Sequence, residues 1–313
     1  MNMSVITVGS INIDLIAYCN RSPSQGETLL GDRFSIRVGG KGANQAIRVS
    51  ISGGNSIFIG KAGQDIFAEM IKNHFCQCNV DTSFIKYEPT NTGIGHVRAI
   101  NGNYDTVIVP GANELLSIRD VDDALPAFRR SSAILLQLET PMETVIHAAK
   151  VAKENGLIVC LNAAPSKTLP SDFLGLLDIL VVNEIEAQML SGVSKLSITN
   201  DYQGIARLLS RWAPNIVISL GSEGVFARNI DGQAVYYPAH RVNAISSIGA
   251  GDSLISELIV RMLEGMPFFE AVQRANAVAA TVVASANGLL SRADESSIMN
   301  LLKENIKYNI FSS

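Results

Sequence analysis

Short apolar segments and amphipathic segments alternate along most of this chain. An apolar run bounded by glycine or polar residues is typical of a buried strand, whereas an apolar residue at every third or fourth position indicates a helix. Strand patterns lie at 4–9, 56–60, 133–138, 157–162, 178–182 and 215–220, and helix patterns at 44–51, 64–78, 141–155, 201–212, 253–263 and 295–305. Strands and helices in this order predict an α/β fold with a central, mostly parallel sheet flanked by helices.

Two segments, 15–38 and 91–109, depart from this alternation. Both contain short pieces in which apolar and polar residues alternate, separated by glycine, proline and asparagine. That pattern is typical of strands in a half-exposed sheet, and we expect the two segments to form a small β-sheet lid on a single domain, 1–313. An open apolar face on so small a sheet is stabilised by pairing, so we expect a homodimer formed through the lid.

Composition narrows the class of function. The 313 residues are 47% hydrophobic, enough for a large core, and the net charge of −4 argues against a nucleic-acid-binding protein, which needs a basic face. The four cysteines have no metal-binding spacing and are expected to be free thiols in a reducing compartment. The sequence has no secretion-signal pattern and no long apolar run, which predicts a cytoplasmic protein without a membrane segment.

The segment 243–258 carries the clearest chemistry. Gly249, Ala250, Gly251 and Asp252 form a small turn that a helical pattern follows directly. The first amides of a helix have no partner within it and point outward at its positive end, so such a turn binds anions such as phosphate. A carboxylate in such a turn repels phosphate, so its presence needs a reason. Accepting a proton from an attacking hydroxyl is such a reason, which makes Asp252 a candidate catalytic base. The alternative is that Asp252 only caps the helix.

Polar residues at other strand and helix ends are candidate ligand contacts. Asn12 and Asp14 follow the first strand, and ligands of open α/β sheets lie at the carboxyl ends of strands. Both residue types also favour turns for local reasons. Lys41 and Asn44 begin a helix after a double glycine, in a segment without the Walker A spacing. Lys41 is therefore either a ligand contact or a solvated lysine at a helix start.

Four segments together resemble the ribokinase family of carbohydrate kinases, the phosphofructokinase-B group. They are GSINID at 9–14, GGKGANQA at 39–46, NEIE at 183–186 and GAGD at 249–252, and QLE at 137–139 agrees with them. The glycine–lysine segment and the GAGD segment at this separation are specific together, although either alone would be weak. The resemblance covers residues from about 5 to about 291, nearly the whole chain.

This resemblance implies ATP-dependent phosphorylation of the 5-hydroxyl of a pentose, foremost of D-ribose to ribose 5-phosphate. It also implies Mg²⁺ on the phosphates, a monovalent cation such as K⁺ as activator, and lids that pair into a homodimer. The acceptor stays open, because a deoxysugar, another sugar or a nucleoside would suit the same motifs. A sugar-binding regulator without turnover is an alternative of a different class.

Matched motif by motif, the resemblance also implies roles for individual residues. Asp252 matches the catalytic base, and Gly249, Ala250 and Gly251 match the anion hole. The sugar-binding positions are Asn12, Asp14, Gly40, Lys41, Asn44 and Glu139. The nucleotide-binding positions are Asn183, Ser219, Gly221, Ser222, Gly224 and Asn276. Glu186 matches the acidic residue that organises Mg²⁺ through its water shell.

The monovalent-cation site departs from the family's pattern. Ser246 and Ser247 stand where the family usually has Asp-Thr, and 287–291 reads Asn-Gly-Leu-Leu-Ser where it has a loop rich in Gly-Ala-x-Pro-Ser. A serine hydroxyl is neutral, so it compensates the dehydration of a cation less well than a carboxylate. We therefore expect Ser246, Ile248 and Ser291 to form only a weakened site, and the kinase to be active with little potassium dependence.

Overall fold

The computed structural model describes residues 3–100, 103–193, 201–285, 288–292, 294–303 and 309–311. Within these residues the strands are β1 (Ser4–Val8), β2 (Asn12–Cys19), β3 (Arg33–Gly39), β4 (Asn55–Gly63), β5 (Asp81–Glu88), β6 (Gly93–Ile100), β7 (Asn103–Val109), β8 (Ala133–Leu136), β9 (Ile158–Asn162), β10 (Ile179–Asn183), β11 (Asn215–Ser219), β12 (Gly224–Arg228), β13 (Ala234–Pro238) and β14 (Asn309–Phe311). The helices are α1 (Lys41–Ile51), α2 (Ala68–Gln77), α3 (Ile118–Asp123), α4 (Leu125–Phe128), α5 (Met142–Glu154), α6 (Glu184–Ser191), α7 (Tyr202–Leu209), α8 (Ala250–Leu263), α9 (Phe268–Val283) and α10 (Glu295–Lys303). Short 3-10 turns lie at Gly111–Leu115, Ser171–Phe173, Gly221–Glu223 and Gly288–Leu290.

Ten of these strands form one sheet, in the order β14-β13-β12-β11-β10-β9-β8-β1-β4-β5. The strands from β11 to β5 in this order run parallel, and β12, β13 and β14 are added antiparallel at one edge. All of β1 is buried, as is typical of a parallel strand that is covered on both faces. The predicted α/β fold with a central, mostly parallel sheet is confirmed.

Helices cover both faces of this sheet. Along β8, Ile134 and Leu136 pack in one core cluster with residues of α5 and α7, whereas Ala133 and Leu135 pack in another with residues of α8 and α9. Successive residues of a strand point to opposite faces, so the two clusters lie on opposite sides of the sheet. No helix in the described ranges is long and apolar enough to cross a membrane.

A second, smaller sheet joins the two segments that depart from the alternation. Its order is β3-β2-β6-β7, with β2 antiparallel to β3 and parallel to β6, and β6 antiparallel to β7. The predicted small sheet is confirmed, and its role as a lid stays a prediction. It begins at Asn12, earlier than predicted, because Asn12 pairs with Gly39 and Gly93 and so extends both ladders.

Other elements also differ from the predictions. The second predicted helix, α2, begins only at Ala68, because Asp65 first accepts a hydrogen bond from the Phe67 amide in a local turn. α8 begins at Ala250, earlier than predicted, because Gly249 takes a left-handed conformation with φ 82° and caps the helix. At the C-terminal end, Asn309–Phe311 form β14, which pairs with β13 and is not among the predicted strands.

Candidate active site

The carboxyl ends of two central strands meet the first turns of two helices at one place. Ser10 follows β1, Glu139 follows β8, and Asp252 lies in the first turn of α8. A cavity of about 820 Å³ between the small sheet, α1, α2 and the loops at 245–248 and 288–290 has Asp14 and Asn44 in its lining. Ligands of open α/β sheets bind at such strand ends, so this is the candidate active site.

Asp252 is a buried carboxylate that α1 holds in a fixed orientation. The cap of α8 is Gly249, so the interpretation of Asp252 as the capping residue is wrong. Its Oδ2 accepts a hydrogen bond from Asn44 Nδ2 at 3.0 Å, and its Oδ1 accepts one from Gln45 Nε2 at 3.0 Å. Two donors from another helix therefore fix the orientation of the carboxylate, and its role as the catalytic base stays a prediction.

A buried chain of side-chain amides supports this orientation. Gln45 Oε1 accepts a hydrogen bond from Gln137 Nε2 at 2.6 Å, and Gln45 Nε2 also lies 3.3 Å from Asn162 Oδ1. The bond from Gln137 turns the carbonyl side of the Gln45 amide away from Asp252 and its NH₂ side toward it. The sequence analysis missed these three roles. The available signal was that Gln45 adjoins Asn44 and that Gln137 ends an apolar strand.

The first turn of α8 is open on its ligand side. The Ala250 amide donates to the Ser247 carbonyl at 3.3 Å, whereas a Cβ added to Gly251 would meet nothing within 4 Å. Amides in the first turn have no acceptor within their helix, so those of Gly251 and Asp252 are available to a ligand. They lie at the positive end of the helix dipole and can stabilise negative charge on a phosphoryl group in transfer.

Asp14 lies in β2 at the lining of the cavity. Burial and the nearby Glu139 carboxylate raise the pKa of Asp14 to about 6, although the charge of Arg37 acts in the opposite direction. A Cβ on Gly39 or on Gly95 would come within 2.2 or 2.3 Å of an oxygen of this carboxylate. Glycine at both positions therefore provides the space in which Asp14 lies.

Asn12 is buried beside Asp14 and is held by a second asparagine. Its Oδ1 accepts a hydrogen bond from Asn113 Nδ2 at 2.8 Å. Asn113 also bridges the Ile11 backbone, accepting from its amide at 2.8 Å and donating to its carbonyl at 3.0 Å. The bond to Asn113 occupies Asn12 Oδ1 and leaves Nδ2 available to a ligand, and sugar binding by Asn12 stays a prediction. The sequence analysis did not find the role of Asn113.

Glu139 is joined to the start of α1. Its Oε2 accepts hydrogen bonds from the Lys41 amide at 3.0 Å and from the Ser10 hydroxyl. Gly40, with φ 89°, is the N-cap of α1, and a Cβ there would lie 2.8 Å from the Asn12 amide nitrogen. A carboxylate is stabilised at the positive end of a helix, so part of the role of Glu139 is to fix the helix that carries Asn44.

Four of the predicted nucleotide-binding residues lie at or just after the ends of two adjacent strands. Asn183 and Ser219 are paired positions of β10 and β11, and Gly221 and Ser222 follow in an exposed 3-10 turn. The Ser219 hydroxyl donates to the Val182 carbonyl at 3.3 Å. These residues lie side by side, as a shared site requires, and their contact with a nucleotide stays a prediction.

Gly224 and Asn276 meet at the next strand pair. Gly224 pairs with Pro238, and Asn276 Nδ2 donates to the Pro238 carbonyl at 3.0 Å. A Cβ on Gly224 would lie 2.1 Å from the Tyr237 carbonyl oxygen. Both residues therefore have structural roles where the sequence indicated only ligand contacts, and their nucleotide binding stays a prediction.

Glu186 fits a water-mediated Mg²⁺ site. It forms a capping box with Asn183, whose backbone amide donates to Glu186 Oε2 at 2.8 Å. Burial raises the pKa of Glu186, whereas the Asn183 amide and the Lys41 charge lower it. In the described parts of the chain, no three His, Cys, Asp or Glu residues are grouped to hold a metal ion. A single carboxylate suits Mg²⁺, which keeps most of its water and binds mainly through substrate phosphates.

The predicted monovalent-cation residues do not fit a bound ion. The Ser246 hydroxyl accepts a hydrogen bond from the Ile248 amide at 3.3 Å. The Ser291 carbonyl accepts one from Arg48 Nη1 at 2.7 Å, and a positively charged side chain at that oxygen repels a second cation. Asn287, which belongs to the same predicted loop, lies outside the described residues.

Comparison with known proteins identifies the family. Residues 2–293 match the model of the pfkB family of carbohydrate kinases. The deoxyribokinase of Salmonella typhi is 34% identical over 256 residues, which cover 81% of this chain and 83% of that protein. The ribokinase of Haemophilus influenzae is 33% identical over 285 residues, which cover 90% of this chain and 93% of that protein.

A solved structure agrees with this result over almost the whole chain. The ribokinase of Arabidopsis thaliana, complexed with ribose and ATP, superimposes on this chain with a TM-score of 0.84 at 28% identity. The match covers 97% of this chain and 99% of the Arabidopsis chain. The match includes both sheets described above and the helices that carry the site. The chain belongs to the pfkB family of carbohydrate kinases and is a sugar kinase.

Proposed function

We propose that this sugar kinase transfers the γ-phosphoryl group of ATP to the 5-hydroxyl of a pentose, with D-ribose as the expected acceptor. The observation that carries the proposal is the Asp252 carboxylate, held at both oxygens by α1 beside the open first turn of α8. A base and a set of free amides lie next to each other there. Relatives named ribokinase and deoxyribokinase support a pentose as the acceptor.

The sugar would be held by groups that line or adjoin the cavity. The Asp14 carboxylate accepts hydrogen bonds from two hydroxyls when it is ionised, and Asn12 and Asn44 supply neutral amide groups beside it. Glu139 keeps Oε1 for a hydroxyl, because its hydrogen bonds to Ser10 and Lys41 both use Oε2. Buried polar groups of this kind select against an analogue that lacks a hydroxyl, since they would then stay unpaired.

Transfer would proceed by in-line displacement. The 5-hydroxyl gives its proton to Asp252 as its oxygen bonds to the γ-phosphorus, and the bond from the γ-phosphorus to the β-phosphate oxygen breaks to release ADP. The amides of Gly251 and Asp252 stabilise the charge on the transferring group. Mg²⁺ would neutralise charge on the phosphates when bound, with Glu186 oriented toward its water. Residues 15–38 and 91–109 would exclude water as a competing acceptor.

The test is ADP release that depends on an added sugar. Purified protein is assayed with ATP and Mg²⁺ against D-ribose, 2-deoxy-D-ribose, other pentoses, hexoses and nucleosides, and the position of the phosphate is read by ³¹P–¹H NMR. We expect the highest kcat/KM with D-ribose and a 5-phosphate product. A higher kcat/KM with 2-deoxyribose or a nucleoside would show that this compound, and not ribose, is the preferred acceptor. ADP release that no sugar increases would contradict the proposed function.

Three further features belong to this proposal. We propose that the chain acts as one domain with the small sheet as its lid, that two lids pair in a homodimer, and that the enzyme is cytoplasmic. The proposal requires only a sugar, ATP and Mg²⁺ as ligands, and neither nucleic acid nor a membrane.

A further inference from the structure

We propose that the guanidinium group of Arg48 acts as a built-in cation, which holds the loop at 288–291 against the GAGD turn in place of a bound monovalent ion. Arg48 lies in α1 and is only 1% exposed. Its Nη1 donates to the carbonyl oxygens of Leu289 at 3.1 Å and Ser291 at 2.7 Å. Both carbonyls belong to the loop that the sequence assigned to the cation site.

The loop that Arg48 holds packs on the anion hole. A Cβ on Gly249 would lie 2.7 Å from Leu289 Cδ1, so the leucine side chain lies against the glycine that caps α8. Leu289 also lines the cavity that contains Asp14 and Asn44. A displaced loop would therefore change the conformation of Gly249, and with it the direction of the first amides of α8.

Arg48 also belongs to the helix that orients the catalytic base. Asn44 and Gln45, one turn earlier in α1, donate to the two oxygens of Asp252. Residues four apart in a helix lie on the same face, so Asn44 and Arg48 are neighbours along α1. One rigid element thus fixes the base through Asn44 and the loop beside the anion hole through Arg48.

Arg48 keeps its positive charge at neutral pH although it is buried. Burial lowers the pKa of Arg48 to about 10, and the Glu257 carboxylate acts in the opposite direction, so the group stays protonated at neutral pH. Glu257 is itself paired with Arg261 at 3.1 Å and Arg274 at 2.8 Å. Among the described residues Arg48 Nε has no hydrogen-bond partner, so the loop carbonyls are its main acceptors. A buried charge needs such partners.

Ser246 and Arg48 complement each other electrostatically. Ser246 stands where the family's pattern has an aspartate, which removes a negative charge that would attract a cation. Arg48 supplies a positive charge to the carbonyls of Leu289 and Ser291. The same loop is thereby held without a free ion, and a potassium ion at these carbonyls would be repelled by the guanidinium group.

The first test measures the loop without any substrate. Arg48→Met keeps most of the buried volume and removes the donors, and hydrogen exchange is read at the Ser291 amide, which donates to the Gly288 carbonyl at 3.0 Å. We expect this amide to exchange about 10- to 100-fold faster in Arg48→Met, the factor for losing hydrogen bonds to a charged group. Arg48→Lys, which keeps the charge and a donor, is expected to be intermediate and serves if the methionine variant does not fold.

Arg261→Ala is the matched control. Arg261 lines the same small cavity as Arg48 and also faces Glu257, but it donates to the Ser52 carbonyl and to Glu264. We expect Arg261→Ala to lower the overall stability of the protein. The Ser291 amide in this variant is expected to exchange no faster than the neighbouring amides do. Equal acceleration in both variants would show general loosening and would overturn the proposal.

The second test measures turnover and rests on the proposed function. We expect kcat of Arg48→Met to fall about tenfold or more while the sugar KM stays within about twofold, because the loop adjoins the anion hole. Millimolar guanidinium ion is expected to restore part of kcat in Arg48→Ala, which leaves space for the ion, and none in Arg261→Ala. Wild-type rates are expected to be equal in potassium and in tetramethylammonium at constant ionic strength.

The two tests separate the proposal from the proposed function. Unchanged exchange at Ser291 in Arg48→Met would overturn the role of Arg48 even if a sugar is phosphorylated. A saturable, several-fold rise of the wild-type rate with potassium would overturn the claim that Arg48 replaces the ion. Faster exchange in an enzyme that phosphorylates none of the tested sugars would support the role of Arg48 and contradict the proposed function.

Discussion

The carboxylates of the site differ in their partners, and the partners set their roles. Asp252 accepts hydrogen bonds from two neutral side-chain amides, whereas Glu139 accepts from the Lys41 amide at the start of α1. The pKa of Asp14 is raised to about 6, because the side chain is largely withdrawn from solvent and lies close to Glu139. We therefore propose proton transfer for Asp252 and pH-sensitive sugar binding for Asp14.

Replacing Asp252 tests the catalytic base. Asp252→Asn keeps the size of the side chain but cannot take a proton, so we expect turnover to fall by ~10²–10⁴-fold. Binding of sugar and ATP, measured by calorimetry, is expected to stay nearly intact, which also serves as the control for folding. A variant that keeps more than a tenth of wild-type turnover would contradict the assignment.

Asp14 is expected to make sugar binding depend on pH. Its pKa near 6 means that the carboxylate is protonated at lower pH and then no longer accepts two hydroxyls, so the sugar kcat/KM should fall below about pH 6. Asp14→Asn is expected to remove this dependence. It should also raise the sugar KM by about 10- to 100-fold, with ATP's KM unchanged, because hydrogen bonds to a charged group are lost. An unchanged sugar KM would show that Asp14 does not bind the sugar.

Asp14 is also expected to lower the stability of the folded protein at neutral pH. A folded-state pKa raised from 3.8 to about 6 means that the folded protein holds a proton that the unfolded chain has released. Stability from this group is therefore present below about pH 4 and is lost as the pH rises through 6. Thermal unfolding of Asp14→Asn should show a gain over wild type at pH 7.5 that is much smaller at pH 4.5. An equal gain at both values would contradict the raised pKa.

Among the secondary-structure elements, the start of α1 contributes most to positioning the side chains of the candidate site. Its first turn packs backbone to backbone against the end of β1, and a Cβ on Gly42 would lie 2.5 Å from the Ser10 amide nitrogen. The Gly42 amide lies 3.3 Å from the Ser10 hydroxyl oxygen, to which it donates. This close approach brings Asn44 and Gln45 within reach of Asp252, which lies far along the chain.

Gly42→Ala tests this packing. The added methyl group must displace the Ser10 backbone, so we expect a loss of about 1–3 kcal/mol in the free energy of unfolding and a higher sugar KM. Urea denaturation monitored by circular dichroism gives the first quantity. Ser50→Ala, on the same helix and outside the site, is the control and should stay within about 0.5 kcal/mol of wild type. Equal stability of the two variants would contradict the close packing.

At the scale of the whole molecule, the edge strand β7 of the small sheet carries exposed apolar side chains. Asp14 pairs with Gly95, which in turn pairs with Ile108, so these residues share the face toward the cavity. Alternation then puts Val107 and Val109 on the other face, where they are 64% and 56% exposed. Exposed valines in one strand of a small sheet are typical of an interface.

We expect this face to pair in a homodimer. Light scattering at micromolar concentration should give twice the chain mass of 33.5 kDa, and Val107→Asp should shift it toward the monomer, because a buried charge at the interface is destabilising. Ile230→Asp is the control, since Ile230 is 69% exposed and lies in the turn between β12 and β13. A monomer mass for the wild type would rule out the dimer.

The sequence by itself determined the α/β alternation, the small second sheet and the position of the GAGD turn. These depend on local properties: the period of apolar residues, the absence of a Cβ in glycine, and the position of polar residues after strands. It also placed Asp14 and Asp252 among the candidates, because each follows a recognisable strand end or helix start. The departure at Ser246 was visible because the GAGD segment fixes which residue corresponds to the family's aspartate.

Only the tertiary structure decided which side chains act on one another. The bond from Gln45 to Asp252 joins residues 207 positions apart, and that from Arg48 to Ser291 joins residues 243 apart. No local pattern encodes such contacts, because they depend on how α1 packs between the end of β1 and α8. The buried amide chain through Gln45 and the charge that Arg48 brings to the 288–291 loop therefore follow from packing.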